Sequence, residues 1–180
     1  MILLMGIAGS GKGTQSKLLA EKDGFNVVST GELLRLYGSN DQHARMQKGE
    51  ILGDQEVTVL LERALAEIAD QNNVILDGFP RRISQAKWLL QQQKKGRFEI
   101  TCMIHLIASK AAMRSRLLAR RRLDDHDDGI EQRFAEFERD TVPILNYLIK
   151  AGIKFEEVNA ERPIEEVHTE IVHLLKETSD

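Results

Sequence analysis

Ile2-Leu3-Leu4-Met5-Gly6-Ile7-Ala8-Gly9-Ser10-Gly11-Lys12-Gly13-Thr14-Gln15-Ser16-Lys17-Leu18-Leu19-Ala20 runs from an apolar segment through a glycine-rich loop into a helix-like segment. That order builds a phosphate cradle. A short buried strand delivers the loop, the glycines let successive backbone N–H groups turn toward one anion, and the start of the helix adds the positive end of its dipole. Gly9, Ser10, Gly11, Gly13 and Thr14 supply the cradle, and Lys12 neutralises the β and γ phosphates of a nucleoside triphosphate such as ATP. A merely flexible turn would need neither the lysine nor the strand-and-helix setting. The Ser or Thr that usually follows the lysine is displaced by Gly13, so the hydroxyl nearest a bound Mg²⁺ is that of Thr14 or of Ser10.

Outward from this loop, apolar runs recur at Phe25 to Val28, Val74 to Leu76, Ile100 to Ile107 and Ile153 to Val158. With Ile2 to Met5 they predict five short strands. The stretches between them mostly have helical spacing; Val57, Leu60, Leu61, Ala64, Leu65 and Ile68 fall on one face at intervals of three and four. Such alternation predicts an α/β fold with a five-stranded parallel sheet covered by helices on both faces. Strands buried on both sides read as near-continuous apolar runs, as these do. Ligands of such sheets bind beyond the carboxyl ends of the strands. Two polar stretches read as inserts at that end: residues 30–53, rich in glycine, and residues 120–129, nearly all charged.

At 180 residues the chain suits a single domain. Twenty-five basic and 28 acidic residues leave a net charge of −3, so no overall field draws the molecule onto nucleic acid or an anionic membrane. The apolar runs fall far short of the ~18 residues of a membrane span, and no signal-peptide pattern opens the chain. The expectation is a soluble, cytoplasmic protein. Cys102, the lone cysteine, lies in the apolar run from Ile100 to Ile104, where a buried small hydrophobe is the better reading than a nucleophile.

The residues after each strand carry the chemistry. Val74-Ile75-Leu76 closes on Asp77, which either caps a helix or holds Mg²⁺, directly or through water. Gly78-Phe79-Pro80-Arg81-Arg82-Ile83-Ser84-Gln85 follows: Arg81 offers a bidentate fork for phosphate, and Gln85 an amide that can pair with a base edge. After the second strand comes Ser29-Thr30-Gly31-Glu32-Leu33-Leu34-Arg35, where Ser29 or Thr30 can cap a helix and Glu32 faces its dipole. Arg35 alone would be surface decoration; with Arg81 beyond a neighbouring strand, a second phosphate site is the better reading. Arg114, Arg116, Arg120, Arg121 and Arg122 precede Asp124, Asp125, Asp127 and Asp128. A solvated helix end or a nucleic-acid patch would also use such arginines, but four adjacent carboxylates repel a phosphate backbone.

Taken in order, Gly6 to Gln15, Ser29 to Arg35, Asp77-Gly78-Phe79-Pro80-Arg81, Arg122-Leu123-Asp124-Asp125 and Arg133 resemble the adenylate kinase family of nucleoside monophosphate kinases over nearly the whole chain. The resemblance implies a P-loop nucleoside monophosphate kinase fold, Mg²⁺, and reversible transfer ATP + AMP ⇌ 2 ADP in adenine-nucleotide homeostasis. It implies a monomer whose small-molecule substrates are ATP, AMP and ADP, with no nucleic acid or membrane partner. On that pattern Lys12, Arg81, Arg122 and Arg133 are catalytic. The glycine-rich loop, Arg116 and Arg120 lie along ATP, and Asp77 holds the metal through water. Thr30, Gly31, Arg35, Leu52, Gly78, Arg81, Gln85, Arg122 and Arg133 line the AMP side, residues 30–53 form the monophosphate-binding insert, and residues 120–129 with Asp124 and Asp125 form the lid. Thr30 and Gln85 favour AMP over UMP or CMP, whose kinases usually carry Ala and Asn there; a UMP/CMP or broad monophosphate kinase is the alternative, followed by a P-loop ATPase or nucleotide-binding regulator.

The chain departs from the family pattern at Leu52-Gly53-Asp54, at Glu32 in place of Asp, at Ile107 in place of an acidic residue, and at the lid, where only Arg121 separates Arg120 from Arg122. A lid so trimmed predicts more acceptor-free ATP hydrolysis than a full-lid relative shows.

Overall fold

The computed structural model describes residues 1–47, 53–122 and 125–177. Five parallel strands, β1 (Ile2–Met5), β2 (Asn26–Ser29), β3 (Val74–Asp77), β4 (Cys102–Ile107) and β5 (Phe155–Asn159), form one sheet in the order β2-β3-β1-β4-β5. The helices are α1 (Lys12–Asp23), α2 (Thr30–Tyr37), α3 (Asn40–Gln47), α4 (Asp54–Ala66), α5 (Ile83–Lys94), α6 (Lys110–Arg120), α7 (Asp127–Glu136), α8 (Val142–Lys150) and α9 (Ile164–Lys176), with a short π-helical turn at Phe137–Thr141 between α7 and α8.

The period-2 geometry of a strand sorts each apolar run onto two faces. Leu3, Met5, Val28, Val74, Leu76 and Met103 point to one side, where Leu61 and Leu65 of α4, Ala86 and Leu89 of α5, and Ile144 and Leu148 of α8 cover them. Ile2, Leu4, Ile75, Cys102, Ile104 and Val158 point to the other, against Leu19 of α1 and Val167 and Ile171 of α9. Cys102 is fully buried as a small hydrophobe, and burial pushes its thiol up to about 11, so it stays protonated at neutral pH.

Pairing begins later than the apolar runs do. Ile100 and Ile153 are buried without being in strands. The Ile100 N–H donates to Gln93 Oε1 (2.7 Å), and the Ile153 N–H donates to Leu148 O (3.1 Å), closing α8. Both side chains are buried, while the Ile153 N–H satisfies a carbonyl at the end of α8 and the Ile100 N–H is taken by a side chain of α5. At the other edge of the runs, Ser29 and Asp77 are the paired last residues of β2 and β3. The register therefore brings the chemistry-bearing residues that follow these two strands out side by side.

A smaller apolar cluster seats the glycine-rich loop: Ile7 packs with Met113 and Leu117 of α6 and Ile130 and Phe134 of α7. Between β2 and β3, α2 and α3 occupy the polar stretch read as an insert, and α4 returns the chain to the core. At its start the Gly53 N–H donates to Glu56 Oε2 (2.7 Å), and Arg45 of α3 donates to the same carboxylate (3.3 Å). Among the described residues no helix is long and apolar enough to cross a membrane.

Candidate active site

The loop between β1 and α1 sits at the carboxyl edge of the central strand, where β1 is flanked by β3 and β4. In a parallel sheet this is the place at which loops diverge and a crevice opens. A cleft of about 1000 Å³ lies there. Its walls include every site residue predicted from the sequence, from the loop through Arg133, except Leu52, which lies outside the described residues.

Two glycines of the loop have different reasons. A Cβ on Gly9 would stand 2.7 Å from Met113 O and 3.0 Å from Leu117 Cγ, and its φ of +84° is itself unfavourable for a side chain. Gly9 is therefore what lets the loop lie directly on α6. Gly11, at φ +103°, has nothing within 4 Å of its Cβ position, so its bare backbone faces open space just before the first turn of α1. That is the geometry of an anion seat, because the first N–H groups of a helix have no intrahelical acceptor.

Lys12 lies back across the loop, Nζ donating to Gly6 O (2.6 Å) and Ile7 O (3.1 Å). Burial pulls its ammonium down to about 8; Asp77 opposes that shift, and Arg81, Arg120 and Arg133 add to it. Ser10 and Thr14 differ in placement: Thr14 is exposed, whereas Ser10 is fully buried with its Oγ turned toward Gly6.

Opposite the loop, the segment after β3 is tied to the segment after β2. Thr30 Oγ1 donates to Gly78 O (2.9 Å) and lies 3.3 Å from Asp77 O. Arg81 is held at both ends: its backbone N–H donates to Gln85 Oε1 (2.7 Å) and its Nε to Gly78 O (2.9 Å). Gln85 is almost fully buried, and its carbonyl oxygen is spent on the turn that aims Arg81. Arg35 folds over Gly31, where a Cβ would sit 3.4 Å from the Arg35 Nη1.

The third wall comes from α6 and α7. Arg116 Nη2 donates to Ala160 O (2.8 Å) beyond β5. Arg121 closes α6 in the left-handed conformation (φ 59°), its N–H donating to Leu117 O (3.3 Å). The next backbone N–H, that of Arg122, donates to Asp125 Oδ2 (3.0 Å).

Asp125 is the hub of this wall. Its side chain is completely buried. It accepts from Arg120 Nε (2.8 Å), Arg120 Nη2 (2.7 Å) and Arg133 Nη2 (3.0 Å). Burial alone would raise its carboxyl, but the hydrogen bonds from Arg120, the Arg122 N–H and Arg133 override it and hold the group at about 2. The family resemblance places Asp125 in the lid. In the structure its carboxylate gathers two of the predicted arginines onto one point. The signal was present in the alternation of Arg120, Asp125 and Arg133, but a string of charges does not say which carboxylate turns inward.

An anion seat at a helix start and a second set of guanidinium groups thus share one cleft. Such an arrangement can neutralise two polyphosphate ligands at once. The adenylate kinase family model matches residues 4–153. Over 181 residues the chain is 33% identical to Adenylate kinase 1 of Synechocystis sp., covering 97% of this chain and 96% of that protein. It is 30% identical over 185 residues to the adenylate kinase of Thermobifida fusca, covering 97% of each. Against the adenylate kinase of Mycolicibacterium paratuberculosis it is 34% identical over 152 residues, 81% of this chain and 84% of that one. Because the match runs along nearly the whole length, far past a glycine-rich loop that many unrelated nucleotide-binding proteins share, the chain belongs to the adenylate kinase family of phosphotransferases.

Proposed function

We propose that this chain transfers the γ-phosphoryl group of MgATP reversibly to AMP, ATP + AMP ⇌ 2 ADP, and so contributes to adenine-nucleotide homeostasis. The observation that carries the reading is the pairing, in one cleft, of the Lys12 loop with Arg35 and Arg81 across from it. A switch or simple ATPase needs the first and has no use for the second.

In this reading the loop from Gly9 to Thr14, with Arg116 and Arg120, holds ATP. Arg35 and Arg81 grip the AMP phosphate, with Thr30, Gly31, Gly78 and Gln85 beside it. The bond between the β–γ bridging oxygen and the γ-phosphorus breaks as an oxygen of the AMP phosphate attacks in line. Lys12, Arg122 and Arg133 follow the charge as it moves, and no strong general base is required. Gln85 offers its amide nitrogen to the acceptor base, since its oxygen is held by the Arg81 backbone. The chain acts as a cytoplasmic monomer, with residues 30–53 as the acceptor-binding insert and residues 120–129 as a trimmed lid.

The residues present fit a magnesium ion carried in with the nucleotide. Thr14 presents an exposed hydroxyl at the start of α1, and Asp77 ends β3 on the cleft wall and would hold the ion through water. Ser10 is the poorer donor, with its hydroxyl turned back toward Gly6. Among the described residues no group of three acidic, His or Cys side chains converges, which suits an ion whose remaining ligands are phosphates and water. When bound, Mg²⁺ screens the β and γ phosphates and stabilises the charge that develops on them.

The test is ADP formation from MgATP with AMP, dAMP, CMP, UMP or GMP, beside a no-acceptor control. Strong dependence on AMP is the expected result. A pyrimidine monophosphate as best acceptor would overturn the role of Thr30 and Gln85, and acceptor-independent ADP would overturn the two-site reading.

A further inference from the structure

Beside the glycine-rich loop, and separate from the main cleft, lies a recess of about 50 Å³ bordered by Lys12, Arg81, Arg133, Glu136 and Thr141. Glu136 is the unusual member. It is 8% exposed, and one carboxylate oxygen accepts from Gln132 Nε2 (3.2 Å). The other oxygen is buried with no hydrogen-bond partner among the described residues. Burying a half-partnered carboxylate costs stability, because water no longer solvates the charge. Burial accordingly raises its carboxyl, against the pull of Gln132, Arg139 and Arg81. Such groups concentrate at functional sites.

Its position is equally specific. Glu136 ends α7 one turn beyond Arg133, and the backbone at once enters the π-helical turn Phe137–Thr141. Turns of that kind are rare and recur where a side chain is aimed for function. Across the recess stands Arg81, whose backbone and Nε are already fixed by Gln85 and Gly78. The recess is wide enough for one or two water molecules, so the carboxylate can act on the guanidinium through a bridging water.

We propose that Glu136 is a positioning residue for phosphoryl transfer: across the recess beside the loop, its carboxylate holds the Arg81 guanidinium in the orientation in which it grips the acceptor phosphate. This rests on the reading above that Arg81 takes that phosphate. Glu136 lines this recess and not the main cleft, so its role needs no contact with either nucleotide. Removing its charge leaves the anion seat of the loop intact and takes away the carboxylate's pull on that guanidinium, whose Nε stays on Gly78 O.

The experiment is steady-state kinetics with MgATP and AMP on the wild type, Glu136→Gln, Arg81→Lys and the double variant, each checked for thermal unfolding. Glu136→Gln is isosteric and removes a buried charge, so its unfolding temperature is expected to match or exceed the wild type's. Its kcat is expected to fall about tenfold, a misplacement effect, with the KM for MgATP unchanged within about twofold. Glu136→Met, of similar length and apolar, should show the same loss. In the Arg81→Lys background the Glu136→Gln change should cost less than about twofold, since its target is gone. A kcat within twofold of wild type in Glu136→Gln, or the same tenfold loss with and without Arg81, overturns the proposal alone. Wild-type kcat and AMP KM in Arg81→Lys would instead remove the acceptor role of Arg81, and the proposal with it.

Discussion

Asp125→Asn is the sharpest test of how the arginine wall is held. The native carboxylate is fully buried and receives four hydrogen bonds, three from Arg120 and Arg133 side chains and one from the Arg122 N–H. An amide replaces one acceptor oxygen with an N–H group aimed at a guanidinium. Breaking a buried pair by removing one partner costs about 3–5 kcal/mol. Arg120 is 34% exposed and regains water, which brings the expectation to about 3 kcal/mol. For a chain of this size that is a drop of roughly 6–12 °C in unfolding temperature. The native carboxyl lies at about 2 against an ordinary 3.8, so its contribution is fully present above the ordinary value and lost as pH falls through the native one. The gap between wild type and variant should be flat above about pH 5 and close as pH falls toward about 2. Thermal unfolding of both proteins across that range, with and without saturating MgATP and AMP, checks both points. On the proposed reading nucleotide phosphates come to lie beside the same arginines, so the gap should also narrow with ligand. A gap under about 2 °C, one that persists undiminished toward about pH 2, or one that widens with nucleotide would refute the reasoning.

Other changes test single features. Arg121 is exposed and left-handed, a conformation that costs an L-residue about 1–2 kcal/mol; after the greater chain entropy of glycine, Arg121→Gly should raise stability by roughly 0.5–1 kcal/mol in chemical denaturation. Gly9→Ala drives a Cβ into Met113 O at 2.7 Å, so it should destabilise by about 2 kcal/mol or more and raise the KM for MgATP as the loop lifts off α6. The free-enzyme Lys12 ammonium at about 8 should regain its proton beside bound phosphate. Calorimetry of ATP binding in buffers of different ionisation enthalpy at about pH 9 should therefore register proton uptake that is absent near pH 6 and absent in Lys12→Met.

The fold and the membership of the cleft were legible because they rest on local patterns. Period-2 apolar runs, the strand-to-glycine-to-helix order and the arginines after successive strands need no distant contact to be recognised. Strand limits differ by one or two residues where burial and pairing part company: Ile100 and Ile153 are apolar for the core, yet the backbone N–H of one goes to the Gln93 side chain and that of the other to the end of α8. Gln85 was legible as a cleft residue, but not as the acceptor that fixes the Arg81 turn. Nor did composition distinguish the Ser10 hydroxyl, turned inward, from that of Thr14, turned out.

By itself, then, the sequence determined the parallel sheet, the glycine-rich loop after its first strand and the arginines that follow later strands, since hydrophobic period and glycine placement act within a few residues; that the first strand is the central one was decided by the strand order. Which charge faces which was decided by tertiary structure alone. Asp125 is an inward hub while Asp127 and Asp128 stay in solvent, and Glu136 is buried beside the loop while Glu138, two residues on, is exposed. The reason is physical: a carboxylate's role follows from its distance to partners and its access to water, and in this chain those were set when α6 and α7 packed on Ile7, more than a hundred residues away along the backbone.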